Sequence, residues 1–382
     1  MRIVLAPDSF KESMTASQAA RAMAVGVRRV VPDAVCNLVP MADGGEGTMQ
    51  AVTDALGGAL VETACHDALG GQIVALFGYV ESRKLAVVEM AVASGLELIP
   101  PERRDVMTAS TFGTGELIRA ALDLGARQFI VGIGGSATND AGAGMASALG
   151  VRFLDGDGVP LPPGGAALER LSSIDMNGLD KRLAQCWFDV ACDVDNPLLG
   201  TLGASAVFGP QKGATAAQVV QLDSALARWA DVLEVAIKRD VRNLPGAGAA
   251  GGLGAALAAF VPSTLRRGVD IVADAVRLAA HIRGADWVFT GEGSIDSQTS
   301  NGKTPWGVLQ IANKMGVPVI MFGGRVKDDA SSLLDAGAKA LVPIAHNSET
   351  LQQSLTQGQA NLSDAVESTM RKLPVGRESF IK

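Results

Sequence analysis

The chain has 382 residues, 48% of them hydrophobic, with a formal charge of -7 and a pI near 5.1. That length exceeds what one hydrophobic core usually fills, so two domains are expected. The acidic balance, with no basic run carrying interleaved aromatics, argues against a nucleic-acid surface. The apolar run Ile3–Ala6 is too short for a signal peptide, and Leu85–Ile99 is interrupted by Glu89 and Glu97, so neither a leader nor a membrane span is expected. Cys36, Cys65, Cys186 and Cys192 form no C-x-x-C pair and read as reduced thiols of a cytoplasmic protein. His66, His281 and His346 lie far apart, which argues against a histidine zinc site or a Ser-His-Asp hydrolase.

In chain order, Ile3–Ala6 reads as a strand. A helix follows, opened by the capping-box pair Thr15 and Gln18, carrying Ala19, Ala20, Met23, Ala24, Val27 and Val30 at helical period, and ended by Pro32. Val35–Pro40 is the next strand and Glu46–Leu56 its helix, closed by Gly57-Gly58. Ile73–Tyr79 and Leu85–Ala91 read as a hairpin around Glu81-Ser82-Arg83, and Ala-rich helices cover Ala214–Lys238 and Leu253–Phe260. The strand–helix rhythm then returns: Trp287–Thr290 strand, Lys303–Lys314 helix, Val317–Phe322 and Leu341–Ile344 strands, Thr350–Leu373 helix. The expected fold class is α/β. A Rossmann-like or flavodoxin-like parallel-sheet domain would be formed by residues 1–64 and 282–382, with a second α/β domain, 65–281, inserted.

Glycine and acidic residues concentrate in five loops that follow predicted strands: Pro7–Lys11, Asp43–Gly47, Gly134–Asp140, Asp189–Asn196 and Gly291–Asp296. Glycines let backbone N–H groups approach a phosphate, and carboxylates beside them are oxygen ligands suited to Mg²⁺. In open α/β sheets, ligands bind at loops on the carboxyl ends of strands. Each residue also has a plain reading. Asp43 and Glu46 stabilise a helix start, Asn139 and Asp140 are common turn formers, and Lys303 can be a solvated surface lysine. Asp189 and Asp193 would share one side of an extended segment, costly in an apolar run unless a cation or proton joins them.

Three segments imitate nucleotide motifs. Gly246–Gly251 matches G-x-G-x-x-G but follows a polar stretch, so a loop before a helix is expected. Gly132–Ala137 follows a strand, with Asp155 near the place of a ribose-binding acid, which keeps an NAD(P)-linked oxidoreductase open. Ser297–Thr304 resembles a P-loop that lacks its first glycine, although Lys303 near a helix start can meet an anion.

Together the motifs resemble the bacterial glycerate kinases (glycerate 2-kinase, glycerate kinase family 1). They are Ala6-Pro-Asp-Ser-Phe-Lys-Glu-Ser-Met-Thr-Ala16, Pro40–Thr48, Thr111–Arg119, Gly132–Asp140, Asp193–Gly200, Phe208-Gly-Pro-Gln-Lys-Gly213 and Thr290–Thr299. Glu12 departs from the family pattern, which has glycine there, and the tail after about Leu373 carries no likeness. The resemblance implies a cytoplasmic kinase that uses ATP and Mg²⁺ to phosphorylate D-glycerate, most naturally at its 2-hydroxyl, in a cleft between two α/β domains. No membrane or nucleic-acid partner is implied, and a homo-oligomer is possible.

On that reading Lys11 neutralises a phosphoryl group or carboxylate. Asp43, Glu46 and Glu292 are metal candidates, and Asp189 or Asp193 is the base for the glycerate hydroxyl. Gly134, Gly135, Ser136 and Thr138 donate to phosphate. Asp8, Ser9, Gly44, Gly45, Asn139, Asp140, Gly291, Gly293, Ser294, Asp296 and Lys303 complete the nucleotide-side set, with Arg104 or Arg325 as substrate contacts. A non-catalytic metabolite sensor remains the other alternative.

Overall fold

The computed structural model describes residues 1–345 and 350–373. It clusters into two compact units. One comprises Met1–Asp43, Gln50–Gly57 and, as far as it is described, Val269–Lys382; the other comprises Gly44–Met49 and Gly58–Gly268. In chain order the strands are β1 (Arg2–Leu5), β2 (Val35–Leu38), β3 (Ala59–His66), β4 (Gln72–Val80), β5 (Leu85–Glu89), β6 (Gln128–Gly132) and β7 (Arg152–Leu154). They continue with β8 (Ser173–Asp175), β9 (Trp187–Ala191), β10 (Ser263–Arg266), β11 (Trp287–Ile295), β12 (Val319–Val326) and β13 (Ala340–Pro343).

The first unit is built on a five-stranded parallel sheet, β13-β12-β11-β1-β2. Ile3, Val4 and Leu5 are fully buried, as an apolar central strand covered on both faces requires. The chain steps from β1 to β2 in one direction and from β11 to β13 in the other. The strand order therefore reverses between β1 and β11, and a crevice forms outside their carboxyl ends.

The second unit carries a six-stranded sheet, β10-β9-β6-β5-β4-β3. The strands β5, β6, β9 and β10 are parallel, while β4 runs antiparallel to both β3 and β5. The carboxyl ends of β3, β5, β6, β9 and β10 thus share one edge of the sheet. Phe129 of β6 stacks on Phe188 of β9 at 4.4 Å within the core of this unit. The strands β7 and β8 form a separate antiparallel pair.

Several boundaries differ from the sequence expectation. Residues 59–64 belong to β3, which pairs with β4 along its whole length, so this division falls at Gly57/Gly58 rather than near Ala64. In edge strand β3, Glu62 and Thr63 separate Ala59-Leu60-Val61 from Ala64-Cys65, which breaks the apolar run and hides the strand from that reading. The second division falls at Gly268/Val269 rather than near Ile282. The helix Gly268–Ala275 packs so closely on the helix Thr304–Lys314 that a Cβ on Gly307 would lie 2.4 Å from Val269 Cγ2. Strand β11 continues through the glycine segment to Ile295. The predicted helix Thr350–Leu373 is two helices, Leu351–Thr356 and Gly358–Met370. At the break, Gly358 lets Ser13 approach: a Cβ there would meet Ser13 Oγ at 2.1 Å.

Candidate active site

In the first unit the loop after β1 and the end of β11 bring acidic groups together. The Asp8 N–H donates to the Gly291 carbonyl at 2.9 Å, and Thr290 Oγ1 donates to the Ala6 carbonyl at 2.7 Å, fixing the loop to the strand. The Asp8 carboxylate is buried and accepts from the Ser9 N–H and from Thr304 Oγ1, which stands at the start of the helix Thr304–Lys314. Burial, followed by repulsion from Asp43, pushes the Asp8 carboxyl up to about 7. Glu292 is also buried and raised, first by burial; Thr299 Oγ1 donates to it at 2.6 Å and Lys303 Nζ stands 3.6 Å away. Asp296 is held below the usual range, mainly by its hydrogen bond from Lys327 at 2.8 Å, and its side chain caps the turn Ser297–Asn301.

Gly291 and Gly293 let the segments pack tightly. A Cβ on Gly291 would lie 2.2 Å from the Phe322 carbonyl oxygen, and one on Gly293 3.5 Å from the Lys11 nitrogen. Lys11 is exposed on the turn closed by paired hydrogen bonds between Phe10 and Met14. Ser294 pairs with Arg325, which is exposed on β12.

In the second unit the loop after β6 exposes Gly134 and Gly135 and then turns inward. Ser136, Thr138, Asn139 and Asp140 are buried. Beneath them lies Lys212, only 2% exposed, whose ammonium donates to Ser136 Oγ at 2.7 Å and to the Thr138 carbonyl at 2.6 Å. Burial brings this lysine down to about 7, with Asp140 acting in the opposite direction. Asp140 accepts from the Thr111 N–H and hydroxyl and from the N–H groups of Gly142 and Gly144. Asn139 donates to Ser205 Oγ at 2.9 Å. The side chains of Asn139 and Asp140 thus hold the loop from within, while Gly134 and Gly135 form its outer part.

The segment Gly44–Met49 packs on the same sheet edge. Gly44 has φ 92°, and a Cβ there would lie 2.6 Å from Ala191 Cβ at the end of β9. Glu89, buried at the end of β5, accepts from the Met49 N–H at 2.7 Å and is raised by burial. Gly45 accepts at its carbonyl from the Thr48 N–H. Glu46 is exposed and adds like charge beside Glu89.

Asp189 lies within β9, two residues before its end, with Arg266 Nη1 3.7 Å from its carboxylate. Asp193 is exposed beyond the strand and accepts from the Gly268 N–H at 3.1 Å. The strand ends between them, so the alternation expected to align the two acids does not extend to Asp193. Arg104 reaches the Gln211 carbonyl at 3.5 Å.

Among the metal candidates, Asp43 and Glu292 belong to the first unit, whereas Glu46 belongs to the second. No cluster of three His, Cys, Asp or Glu side chains suited to a metal occurs among the described residues. Lys303 is half-buried and paired rather than part of a P-loop. It precedes the helix Thr304–Lys314 and pairs with Glu292 and Asp296. The dinucleotide reading of the Gly132 turn loses its acid: Asp155 follows β7, which lies outside the six-stranded sheet, while the neighbours of β6 are β5 and β9. The sequence alone assigned no role to Lys212, Glu89 or Thr304; Lys212 carried a signal in its place in the Phe208–Gly213 motif and Thr304 in the P-loop-like segment that it ends, whereas Glu89 carried none.

A family model described as the glycerate kinase family matches residues 3–374. The chain belongs to the glycerate kinase family. It is 47% identical over 373 residues to a glycerate kinase of Haemophilus influenzae, covering 98% of this chain and 99% of that protein. It is 46% identical over 376 residues to a glycerate 2-kinase of Escherichia coli K12, with 98% and 99% covered. A crystal structure described as that of a glycerate kinase 2 from Salmonella typhimurium LT2 superposes with a TM-score of 0.91 at 47% identity, covering 97% of each chain. The α/β architecture is therefore that of the glycerate kinases, and membership of the family makes the chain an enzyme of phosphoryl transfer.

Proposed function

We propose that this glycerate kinase transfers the γ-phosphoryl group of ATP to the 2-hydroxyl of D-glycerate. The observation that carries the reading is the exposed Gly134-Gly135 turn at the carboxyl end of β6, backed by the buried Lys212 ammonium. Such a turn offers backbone donors to phosphate oxygens, and Lys212 holds it rigid. Asp193, in the loop beyond β9, is better placed than Asp189 to accept the glycerate hydroxyl proton, because Asp189 is within the strand beside Arg266. Lys11 supplies an exposed positive charge on the loop after β1. The E. coli relative's name, glycerate 2-kinase, supports the choice of hydroxyl.

The first unit's acids fit Mg²⁺. Asp8 and Glu292 both resist ionisation through burial and neighbouring negative charge, so a cation beside them would be favoured. Mg²⁺ in such enzymes needs only one or two carboxylates, with phosphates and waters completing its shell. Asp8 and Asp43 would hold it, and the ion would offset charge on the phosphates. The test couples ADP formation to D-glycerate, with and without excess chelator. Direct consumption of the product by enolase identifies 2-phosphoglycerate; a need for phosphoglycerate mutase first would reassign the hydroxyl, and unchanged turnover in chelator would remove the metal.

A further inference from the structure

The second unit contains a cavity of about 530 Å³ that none of the roles above uses. Its walls are largely apolar, with Phe112, Phe153, Leu161 and Leu168 among them, and His66 and Arg152 also line it. The His66 ring stands edge-on to Phe112 at 5.7 Å and holds Glu116 at 3.0 Å. The size and lining are those of a small-molecule site, with a mainly apolar surface and a few polar groups.

Topology fixes where this cavity sits. Both β3 and β5 are antiparallel to β4, so His66 and the turn that follows it lie at the carboxyl edge of the sheet, the edge that bears the Gly134 loop. The helix Phe112–Asp123, on the crossover from β5 to β6, begins at the cavity with Phe112. The cavity wall also backs onto that loop. Ala68 and Ala109 pack with Ala137, and a Cβ on the lining residue Gly144 would lie 2.9 Å from Asp140 Oδ2.

We infer that this cavity receives the adenosine half of ATP, which places the nucleotide on the second unit. The inference rests on ATP being the phosphoryl donor. Chemistry decides between the two substrates. Glycerate is a three-carbon acid with a polar group on every carbon, and it would leave the aromatic and aliphatic walls uncovered. A purine nucleoside has a flat, weakly polar surface that such walls desolvate favourably. The positive end of the helix Phe112–Asp123 and the Arg152 guanidinium favour the attached phosphates. A mainly apolar pocket discriminates weakly between similar flat ligands, so purine triphosphates other than ATP should be accepted with modest loss.

The test fills the cavity in the full-length enzyme with Leu161→Trp and, separately, Ser147→Trp. KM for ATP should rise at least tenfold while KM for D-glycerate and the melting temperature stay within experimental scatter. Photolabelling of the unmodified enzyme with 8-azido-ATP should mark peptides spanning residues 147–168, and excess ATP should protect them. An unchanged KM for ATP in folded variants, or labelling confined to peptides of the first unit, would overturn the inference while continued ADP formation with glycerate keeps the kinase reading. Absence of ADP formation by the wild-type enzyme would overturn both. If either tryptophan variant fails to fold, the labelling of the unmodified enzyme still decides.

Discussion

Asp8 and Lys212 are buried groups held near neutrality from opposite sides, and each makes a different prediction. Asp8 has a folded pKa raised from 3.8 to about 7, so the folded state binds more protons than the unfolded one between those values. Stability contributed by this proton is present at low pH and is lost as pH rises through about 7. Asp8→Asn should therefore raise the melting temperature at pH 8, and the gain should fade toward pH 4. The shift sets a ceiling of about 4 kcal/mol, at about 1.4 kcal/mol per pKa unit. Melts across that range check it; a gain independent of pH would show that burial is not what opposes ionisation. Lys212→Met should leave Ser136 Oγ and the Thr138 carbonyl without their donor. The expected cost is about 1–3 kcal/mol for each group left unsatisfied, with a larger loss of turnover because the phosphate turn loses its support. Steady-state kinetics beside a thermal melt would separate the two effects. Glu12 adopts φ 62°, a left-handed conformation that glycine takes without strain. Glu12→Gly should stabilise by about 0.5–1 kcal/mol, the relief of roughly 1–2 kcal/mol of strain less the added freedom of the unfolded chain. Denaturant titration reads this directly.

At the scale of elements, one carboxylate organises the segment that joins β2 to the helix Thr48–Ala55. Glu89 ends β5 and accepts from Met49 at the amino end of that helix, where a negative charge also meets the helix dipole. Glu89→Ala should cost about 0.5–2 kcal/mol, the range of a lost helix cap. Hydrogen exchange at Gly47–Met49 should accelerate well beyond that of the core of the same unit; unchanged protection there would mean the loop is held by other contacts. The capping boxes at Thr15 and Thr215 show the ordinary form of the same device, with each hydroxyl accepting from the third residue of its helix. Sequence spacing disclosed the Thr15 box because both partners are local. Glu89 was not legible in this way because its partner stands 40 residues away.

For the whole molecule, the two units differ in how their chain is assembled. The second sheet draws all six strands from the continuous stretch after Gly58. In the first, β1 lies between β2 and β11, so both ends of the chain are needed to complete it. A fragment comprising residues 58–268 should unfold cooperatively by itself, whereas residues 1–57 should show no cooperative transition. Circular dichroism melts of both fragments test this; a folded amino-terminal fragment would show that β11 is not required.

The sequence by itself determined the class of fold, the strand–helix rhythm at both ends, the helix over Leu253–Phe260 and the family motifs. These depend on local periodicity, capping spacing and glycine placement, which neighbouring residues express without help from distant ones. Only the tertiary structure decided which motif residues face inward. Asn139 and Asp140 look like any polar turn in sequence, yet partners in remote segments, Ser205 and Thr111, draw them into the interior. Lys212 lies buried beneath the Gly134 turn, a placement that no local pattern marks. The same holds for Asp155, whose spacing suits a ribose-binding acid but whose strand joins another sheet. Burial and strand order are set by contacts between distant segments, and residue spacing along the chain does not encode them.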